Sequence, residues 1–362
     1  MTYKEQQEKW EQDNLCKKAK KSSKAKRWKA DEDDIYRTEY QRDVGRILLS
    51  DAFRRLRMKT QVFVASGLDQ HNRTRLTHSL EVSQIARSIA RPLLLNEDLT
   101  EAIALGHDLG HTPFGHAGEK ALNDCLKSRN GFNHNVQSVR ILRAYPFQRR
   151  DRDNALYSGL NLTHDVVEGV WKHTKYKHTL GEYGDLKYYS PEKSSSLEGQ
   201  VVDIADGVAY VRHDAEDAIR ERLLRFGDIE SVWKANTDIK FDRHTWSHYF
   251  IYDVINNSAN KNTIGFSKDM DKLFAEIKKL IDKKVLKSDR VKSMDNECRE
   301  KICMLYHYFL QRPDKILKKF QSWNTYLMRT EGVERVVANY IQWLGDEIAG
   351  VTYDKIQAGV DL

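Results

Sequence analysis

The chain has 362 residues, which is long enough to bury a sizeable core and to form one large domain or two. Its 31% charged and 40% hydrophobic residues are typical of a globular protein and exclude a largely disordered one. The longest apolar runs are far too short to cross a bilayer, and the polar N terminus lacks the apolar core of a secretory signal. We therefore expect a cytoplasmic protein with no membrane partner.

The net charge of +7 favours polyanionic partners, and much of the excess lies in residues 17–29, KKAKKSSKAKRWK, with eight basic residues and no acid. Residues 1–34 are expected to form a basic N-terminal arm. Such an arm is either a solvated or frayed segment, or one that attracts nucleic acid or nucleotides. The four cysteines form no CxxC pair, so neither a disulfide framework nor a cysteine zinc site is predicted.

A clear helical pattern begins in THSLEVSQIARSIA, residues 77–90. His78, Val82, Ile85 and Ile89 fall at offsets that share one helical face, so His78 is predicted to point toward the core. Taken alone, a histidine in this position is more often an inert, hydrogen-bonded core residue than a metal ligand.

The following segment, NEDLTEAIALGHD, predicts a second helix with Asn96 as its N-cap. Its apolar stripe brings His107 toward the core beside Asp108, a carboxylate that is costly to bury unless it is paired or bound to a metal. Both side chains can reach one ion only near a helix end, where Gly106 and Gly110 would allow close approach. The stretch HDLGHTPFGH, 107–116, holds three of the thirteen histidines of the chain.

Acidic residues recur every three or four positions in SLEGQVVDIADGVAYVRHDAED, residues 196–217, opposite an apolar stripe. This face is either solvated or the wall of a site. Like charges one turn apart repel, and a bound cation would compensate them. Two imidazoles with two carboxylates suit Mn, Fe, Ni or Mg better than a structural zinc ion. The recurring positions are Asp203, Asp206, Tyr210, Asp214 and Asp217.

The rest of the chain also predicts helices, so the fold class is all-α. Residues 176–196, rich in Gly, Ser and Tyr, are the clearest loop or short β-hairpin, and residues 265–345 are typical of amphipathic helices. We expect a core domain over residues 35–225 and a helical region, 226–362, packed on that core.

The ordered set of His78, the HD pair at 107–108 and a later Asp resembles the HD-domain metal-dependent phosphohydrolases. Five blocks extend the likeness to the deoxyguanosine triphosphate triphosphohydrolase (dGTPase) branch over roughly residues 37–220. They are RDVGRILLSDAFRRLRMKTQVF, RTRLTHSLEV, HDLGHTPFGHAGE, FNHNVQS and ADGVAY. The resemblance implies an HD-domain helical fold with a helical C-terminal extension.

The resemblance also implies a role for each matching residue. The residues implied to hold one divalent ion are His78, His107, Asp108 and Asp206. In the family the last ligand precedes a tyrosine by four positions, which selects Asp206 over Asp203. The residues implied in catalysis are the pair His116 and Glu119, with His111 and His134 along the phosphate path. Those implied to hold sugar or phosphates are Gln61, Arg75, Tyr210 and Asp214.

The implied activity is hydrolysis of a deoxynucleoside triphosphate (dNTP), with dGTP favoured, to deoxynucleoside and inorganic triphosphate. The metal would be Mn, Mg, Fe or Ni. The resemblance also implies a homo-oligomer, with a hexamer as a common form, and single-stranded DNA or an activating nucleotide as candidate partners.

Two alternatives remain open at this point. One is an HD phosphohydrolase that acts on another nucleotide phosphoester, although the RTRLTH and FNHNVQS blocks favour a dNTP. The other is a nucleic-acid-binding protein whose HD site is regulatory. The basic segment would then carry the function, and binding would fall steeply with salt.

Overall fold

The computed structural model describes residues 1–61, 73–144, 149–150, 156–157, 159–174, 193–316 and 331–362. Within these residues the regular secondary structure is helical apart from one two-residue antiparallel pair of strands, Arg149–Arg150 (β1) and Leu156–Tyr157 (β2), and two isolated β-bridges, which confirms the all-α class. The hairpin or loop predicted at 176–196 lies outside the described residues up to position 192. Within the described part, no helix is both long and apolar enough to span a membrane.

The helices of the first half surround the predicted site. They are α1 (Tyr3–Asn14), α2 (Glu39–Leu48), α3 (Asp51–Arg55), α4 (Arg75–Ala90), α5 (Glu97–Gly106), α6 (Gly115–Cys125), α7 (His134–Ala144), α8 (His164–Trp171) and α9 (Leu197–Arg220). Helix α5 is central: it packs against α2, α4, α8 and α9. Both predicted stripes are confirmed, because their apolar residues on α4 and α5 are fully or almost fully buried.

Side-chain caps begin the three helices that carry the predicted metal ligands. The side chains of Thr74, Asn96 and Ser196 each accept a hydrogen bond from a backbone N–H in the first turn of α4, α5 and α9. The predicted Asn96 cap is therefore confirmed. Each cap of this kind contributes about 1 kcal/mol to stability.

The second half of the chain is α10 (Phe226–Asn236), α11 (Trp246–Ser258), α12 (Lys268–Ile281), α13 (Asp289–Gln311), α14 (Val333–Trp343) and α15 (Asp346–Gln357). Helix α12 continues as a π-helical turn, Asp282–Leu286. Two hydrophobic clusters result: α13 and α14 join the cluster of the first half, whereas α10 and α12 form a second cluster with the end of α9. Because α9 contributes to both clusters, the two halves share one helix. The boundary at residue 225 stays a prediction.

The basic segment is less free than the sequence indicates. Lys21 is buried, and its ammonium donates to the carbonyl oxygens of Glu11, Leu15 and Cys16 at the end of α1. The Arg27 side chain is only 7% exposed and pairs with Glu39 and Asp43 of α2. These two positions are therefore not solvated or frayed: Lys21 holds the segment against the end of α1, and Arg27 docks it onto α2.

Candidate metal centre and catalytic site

Four predicted ligands converge from three helices. His78 lies on α4, Asp206 lies on α9, and the pair His107–Asp108 follows the last residue of α5. Oδ1 of Asp206 is 2.9 Å from Nε2 of His78 and 3.6 Å from Nε2 of His107. Oδ1 of Asp108 is 3.3 Å from the same His107 nitrogen. The donor atoms of His78, His107 and Asp108 lie within 4.8 Å of one another, a spacing that could hold one metal ion.

The protonation pattern of His107 fits a metal ligand. Its Nδ1 donates to the carbonyl oxygen of Ala104 at 2.6 Å, so the lone pair of the neutral ring lies on Nε2. That nitrogen is buried and has no hydrogen-bond partner among the described residues. A buried, unpartnered imidazole nitrogen that faces two carboxylates is a suitable ligand for a divalent cation.

Both carboxylates are held in the ionised form that metal binding requires. Burial alone would raise the pKa of Asp108, but His107, His111 and Arg75 outweigh it and lower that pKa well below its usual range. Burial likewise opposes ionisation of Asp206, and the hydrogen bond from His78 and the nearby His107 lower its pKa. Arg75 donates to Asp108 at 2.6 Å and so fixes this carboxylate on one side.

The structure separates Asp206 from its neighbour Asp203. Asp206 contacts both metal-binding histidines, whereas Asp203 lies one turn away, where it lines the adjoining cavity. The geometry agrees with the choice of Asp206 that the resemblance implied.

A second polar group, centred on Glu119, lies beside the metal ligands. Oε2 of Glu119 is 3.3 Å from Nδ1 of His116, and Oε1 accepts hydrogen bonds from the backbone and ring nitrogens of His134 at 2.8 and 2.9 Å. Burial alone would raise the pKa of Glu119, but His134 and His116 hold it well below its usual range. The ionised carboxylate thus orients two imidazoles, of which His116 is half exposed and free to meet a substrate.

His111 connects the two groups. Its Nε2 is 3.2 Å from Oδ1 of Asp108, and its ring stacks on His134 with centroids 3.9 Å apart. Burial, reinforced by the charge of Arg75, lowers the pKa of His111 well below its usual value, so the ring is neutral. Gly110 permits this packing, because a Cβ there would lie 2.1 Å from the carbonyl oxygen of His134.

These groups open into one cavity of about 590 Å³, a size suited to a small-molecule ligand. Both halves of the chain line it. Its walls include Gln61, Arg75, His78, Asp108, His111, His116, His134, Tyr210, Phe266, Phe274 and Lys278. The contribution of α12 and the segment before it could not be read from the matched blocks, which end near residue 220.

The HD-domain family model matches residues 75–210, and the phosphohydrolase-associated domain model matches residues 264–355. A deoxyguanosinetriphosphate triphosphohydrolase-like protein of Caldanaerobacter subterraneus subsp. tengcongensis is 42% identical over 320 residues, which cover 88% of this chain and 85% of the relative. The chain belongs to this family of HD-domain proteins. Its site is thus that of an HD phosphohydrolase, a hydrolase with a His/Asp cluster able to hold a metal ion.

Other relatives with the same name also match this chain over most of their length. Those of Rickettsia felis and Rickettsia prowazekii are 33% and 34% identical, and each match covers 89% of this chain and 92% of the relative. A solved structure, a hypothetical protein from Aquifex aeolicus, aligns with 18% identity and a TM-score of 0.40 over 88% of this chain and 71% of that chain. That likeness is too weak to bear on fold or function.

Asp214 is the predicted substrate-binding residue that the structure does not bring to the cavity of this HD phosphohydrolase. Its side chain is buried one helical turn beyond Tyr210, and it is absent from the described lining. Burial raises its pKa well above the usual range, and Oδ1 has no hydrogen-bond partner within the described ranges. Gln61, Arg75 and Tyr210 do line the cavity.

The roles that the resemblance implies do not include three residues that contact the site or the loop of residues 107–114 between α5 and α6, here called the HD loop. His173 is buried, lines the cavity, and has Nε2 3.3 Å from Nε2 of His134. Lys59 donates to the carbonyl oxygens of His111 and Gln342, and Gln342 donates to those of Leu109 and His111. No local spacing could reveal these contacts, because their partners are distant in sequence.

Proposed function

We propose that this HD phosphohydrolase cleaves a dNTP, with dGTP the first candidate, into deoxynucleoside and inorganic triphosphate. The observation that carries the proposal is the His116–Glu119–His134 group, which shares one cavity with the metal ligands and Arg75. The names of the relatives support a related hydrolase. The preference for guanine as the base is part of this proposal.

The reaction replaces one bond at phosphorus. A water oxygen bonds to the α-phosphorus, the bond from that phosphorus to O5′ breaks, and O5′ takes up a proton to become the 5′-hydroxyl. A divalent ion (Mn, Mg, Fe or Ni), bound by His78, His107, Asp108 and Asp206, would neutralise phosphate charge and lower the pKa of a bound water. We assign the proton transfer to His116, which Glu119 orients at 3.3 Å.

Arg75 and Tyr210 are the residues suited to hold the substrate. The buried guanidinium of Arg75 has an Nε without a hydrogen-bond partner in the described part of the chain, so it retains a donor for a phosphate oxygen. Burial raises the pKa of Tyr210 well above its usual value, which keeps the phenol neutral. Its ring centroid lies 6.1 Å from that of His116, and we propose that it crowds out a ribose 2′-hydroxyl.

A separate observation favours nucleic acid as an additional partner. A second cavity of about 470 Å³ is lined by five lysines of the basic segment, and Asp165 is its one acidic side chain among the described residues. Lys17, Lys24 and Lys26 are exposed there. A cavity of this charge suits a phosphodiester backbone, so we retain single-stranded DNA binding as a second candidate function.

Product analysis tests the reaction. The protein is incubated with each of the four dNTPs and with GTP, singly and mixed, in Mn²⁺ and in Mg²⁺, and the products are separated by ion-pair chromatography. We expect inorganic triphosphate and deoxynucleoside in equal amounts, with GTP a poorer substrate. His107→Ala serves as the inactive control. Stepwise release of single phosphates would instead support an enzyme that acts on other nucleotide phosphoesters.

A further inference from the structure

The imidazole ring of His78 has a partner on each of its two nitrogens, and only one of them faces the predicted metal site. Its Nε2 faces Asp206 at 2.9 Å, while Nδ1 on the opposite edge of the ring lies 3.2 Å from Nδ1 of His213. His213, on α9, is fully buried, and it takes no part in the reaction proposed above. A buried imidazole directly behind a metal ligand controls how that ligand presents its lone pair.

Glu81 completes a chain of three side chains. It lies on α4 one turn beyond His78, and its Oε2 accepts a hydrogen bond from Nε2 of His213. The Glu81 side chain is 42% exposed, and Nε of Arg73 lies 3.9 Å from its other oxygen. The chain therefore runs from a carboxylate at the surface, through a buried imidazole, to the ligand itself.

The protons along this chain follow from the acceptors. A carboxylate can only accept, so Nε2 of His213 carries a proton, and the neutral ring of His213 then has its lone pair on Nδ1. The facing Nδ1 of His78 is therefore offered an acceptor. In the metal-free protein Nε2 of His78 donates to Asp206. A cation held between Nε2 and Asp206 would replace that hydrogen, and the proton of His78 would then lie on Nδ1, where His213 accepts it.

We propose that Glu81 and His213 are positioning residues that fix the tautomer and ring orientation of His78 for metal binding. The inference rests on the metal centre of the proposed function. It extends the site to two residues that do not contact the substrate cavity among its described lining.

Manganese affinity tests the proposal directly. Free Mn²⁺ is measured by electron paramagnetic resonance during titration of the wild-type protein and of Glu81→Ala, Glu81→Gln and Glu216→Ala. We expect Glu81→Ala to weaken Mn²⁺ binding by about 10- to 100-fold, the usual cost of losing such a partner. Glu81→Gln should stay close to wild type, because its amide oxygen still accepts from His213.

Glu216→Ala is the matched control. Glu216 lies on α9, and like Glu81 it contacts Arg73, but among the described residues it forms no hydrogen bond or ion pair with His213. Equal weakening in this control would show a general charge effect and overturn the inference. Unchanged Mn²⁺ binding in Glu81→Ala would also overturn it. A wild-type protein that binds no Mn²⁺ would instead overturn the metal centre itself, which keeps the two failures distinct.

A tautomer measurement covers the case in which the variants differ in stability. In Mg²⁺-loaded protein with ¹⁵N-labelled histidine, long-range ¹H–¹⁵N correlation reports which ring nitrogen of His78 carries the proton, with His78→Gln used for assignment. We expect a proton on Nδ1 in the wild type and a mixture of tautomers in Glu81→Ala. A wild-type His78 with its proton on Nε2 would contradict the proposed order of protons.

Discussion

Asp206 and His116 show how a single side chain is prepared for its task by its immediate neighbours. One oxygen of Asp206 faces the ring nitrogens of both His78 and His107, so the carboxylate occupies the point where the two imidazoles meet. His116 is anchored on one side only, by Glu119 at 3.3 Å, and its side chain remains 44% exposed. The first arrangement suits a metal ligand, and the second suits the proton transfer proposed for His116.

Replacement of Asp206 tests the choice between two neighbouring carboxylates. Asp206→Asn should weaken Mn²⁺ binding by at least about 100-fold, which exceeds the cost of losing an outer-sphere partner, because a charged ligand is lost. Asp203→Asn is the matched control, with the same chemical change one turn away. Isothermal titration calorimetry of both variants is the measurement. Loss of binding in Asp203→Asn alone would transfer the ligand role to Asp203.

Replacement of His116 separates chemistry from metal binding. His116→Ala should lower the single-turnover rate by about 10²- to 10⁴-fold, the range for losing a general acid or base, while metal content is unchanged. His244→Ala, at an exposed histidine far along the chain, is the control. Rapid-quench kinetics and elemental analysis provide the two readouts. A near-normal rate would remove His116 from the mechanism.

Helices α4 and α5 show what periodicity predicts and where it stops. Their stripes predict that His78 and His107 face the core, and the predicted Asn96 cap begins α5 as expected. Periodicity cannot predict which residue of another helix a buried side chain meets. The contact of His78 with His213 spans 135 positions, and that of Gln342 with Leu109 spans 233. Such pairings depend on tertiary packing, and the resemblance located only the residues within its matched blocks.

The first turn of α9 contains a buried carboxyl group, Glu198, whose charge depends on pH. Glu198 is fully buried and accepts hydrogen bonds from the backbone nitrogens of Lys20 and Asn96 at 3.0 and 3.1 Å. Burial raises its pKa from 4.5 to about 7. Glu198 thus ties α9 both to the basic segment and to the start of α5. These hydrogen bonds favour the ionised carboxylate, but burial outweighs them and favours the protonated form.

The stability of the wild type relative to Glu198→Gln should therefore fall with rising pH. Because the pKa is higher in the folded protein, the stabilising effect of protonation is complete below about pH 4.5 and is lost as pH rises through 7. The expected loss is about 3 kcal/mol. Urea unfolding of both proteins across this range measures it, with Glu230→Gln at the surface as control. If the difference in unfolding free energy between wild type and Glu198→Gln stays constant across this pH range, the raised pKa of Glu198 is contradicted.

At the scale of the whole molecule, the two halves of the chain are joined around a common site. The family models match residues 75–210 and 264–355 separately, but the cavity takes residues from both. The sequence predicts a helical C-terminal region packed on the core, and the contacts of α13 with α6 and of α14 with α13 agree with it. It could not predict that this region reaches the HD loop, because amphipathic patterns do not specify a partner surface.

The charge of the whole molecule leads to a prediction about nucleic acid. The triple variant Lys17→Ala, Lys24→Ala and Lys26→Ala should bind a single-stranded oligonucleotide more weakly than wild type. If all three lysines contact phosphates, the slope of log affinity against log salt should become shallower by about 2. Fluorescence anisotropy across a salt series is the measurement.

A control with the same loss of charge is available on other surfaces. Lys234, Lys261 and Lys279 each have a nearby partner on their own helix or loop, and none lines the lysine cavity. Their triple replacement by alanine should leave the salt slope unchanged. If both triple variants lose affinity equally, binding is a diffuse effect of net charge and the cavity has no special part in it.

The contacts of Gln342 and Lys59 mean that the HD segment is not a transferable module. A polypeptide that ends before α14 would retain all four predicted metal ligands and the His116–Glu119 pair. It would lack the two bonds from Gln342 to the backbone of the loop, and Lys59 would lose one of its two carbonyl acceptors. Recombination that exchanges the two halves between distant relatives must therefore preserve this junction. The junction extends into α15, because the carboxylate of Asp346 accepts hydrogen bonds from the backbone nitrogens of Phe114 and Thr60.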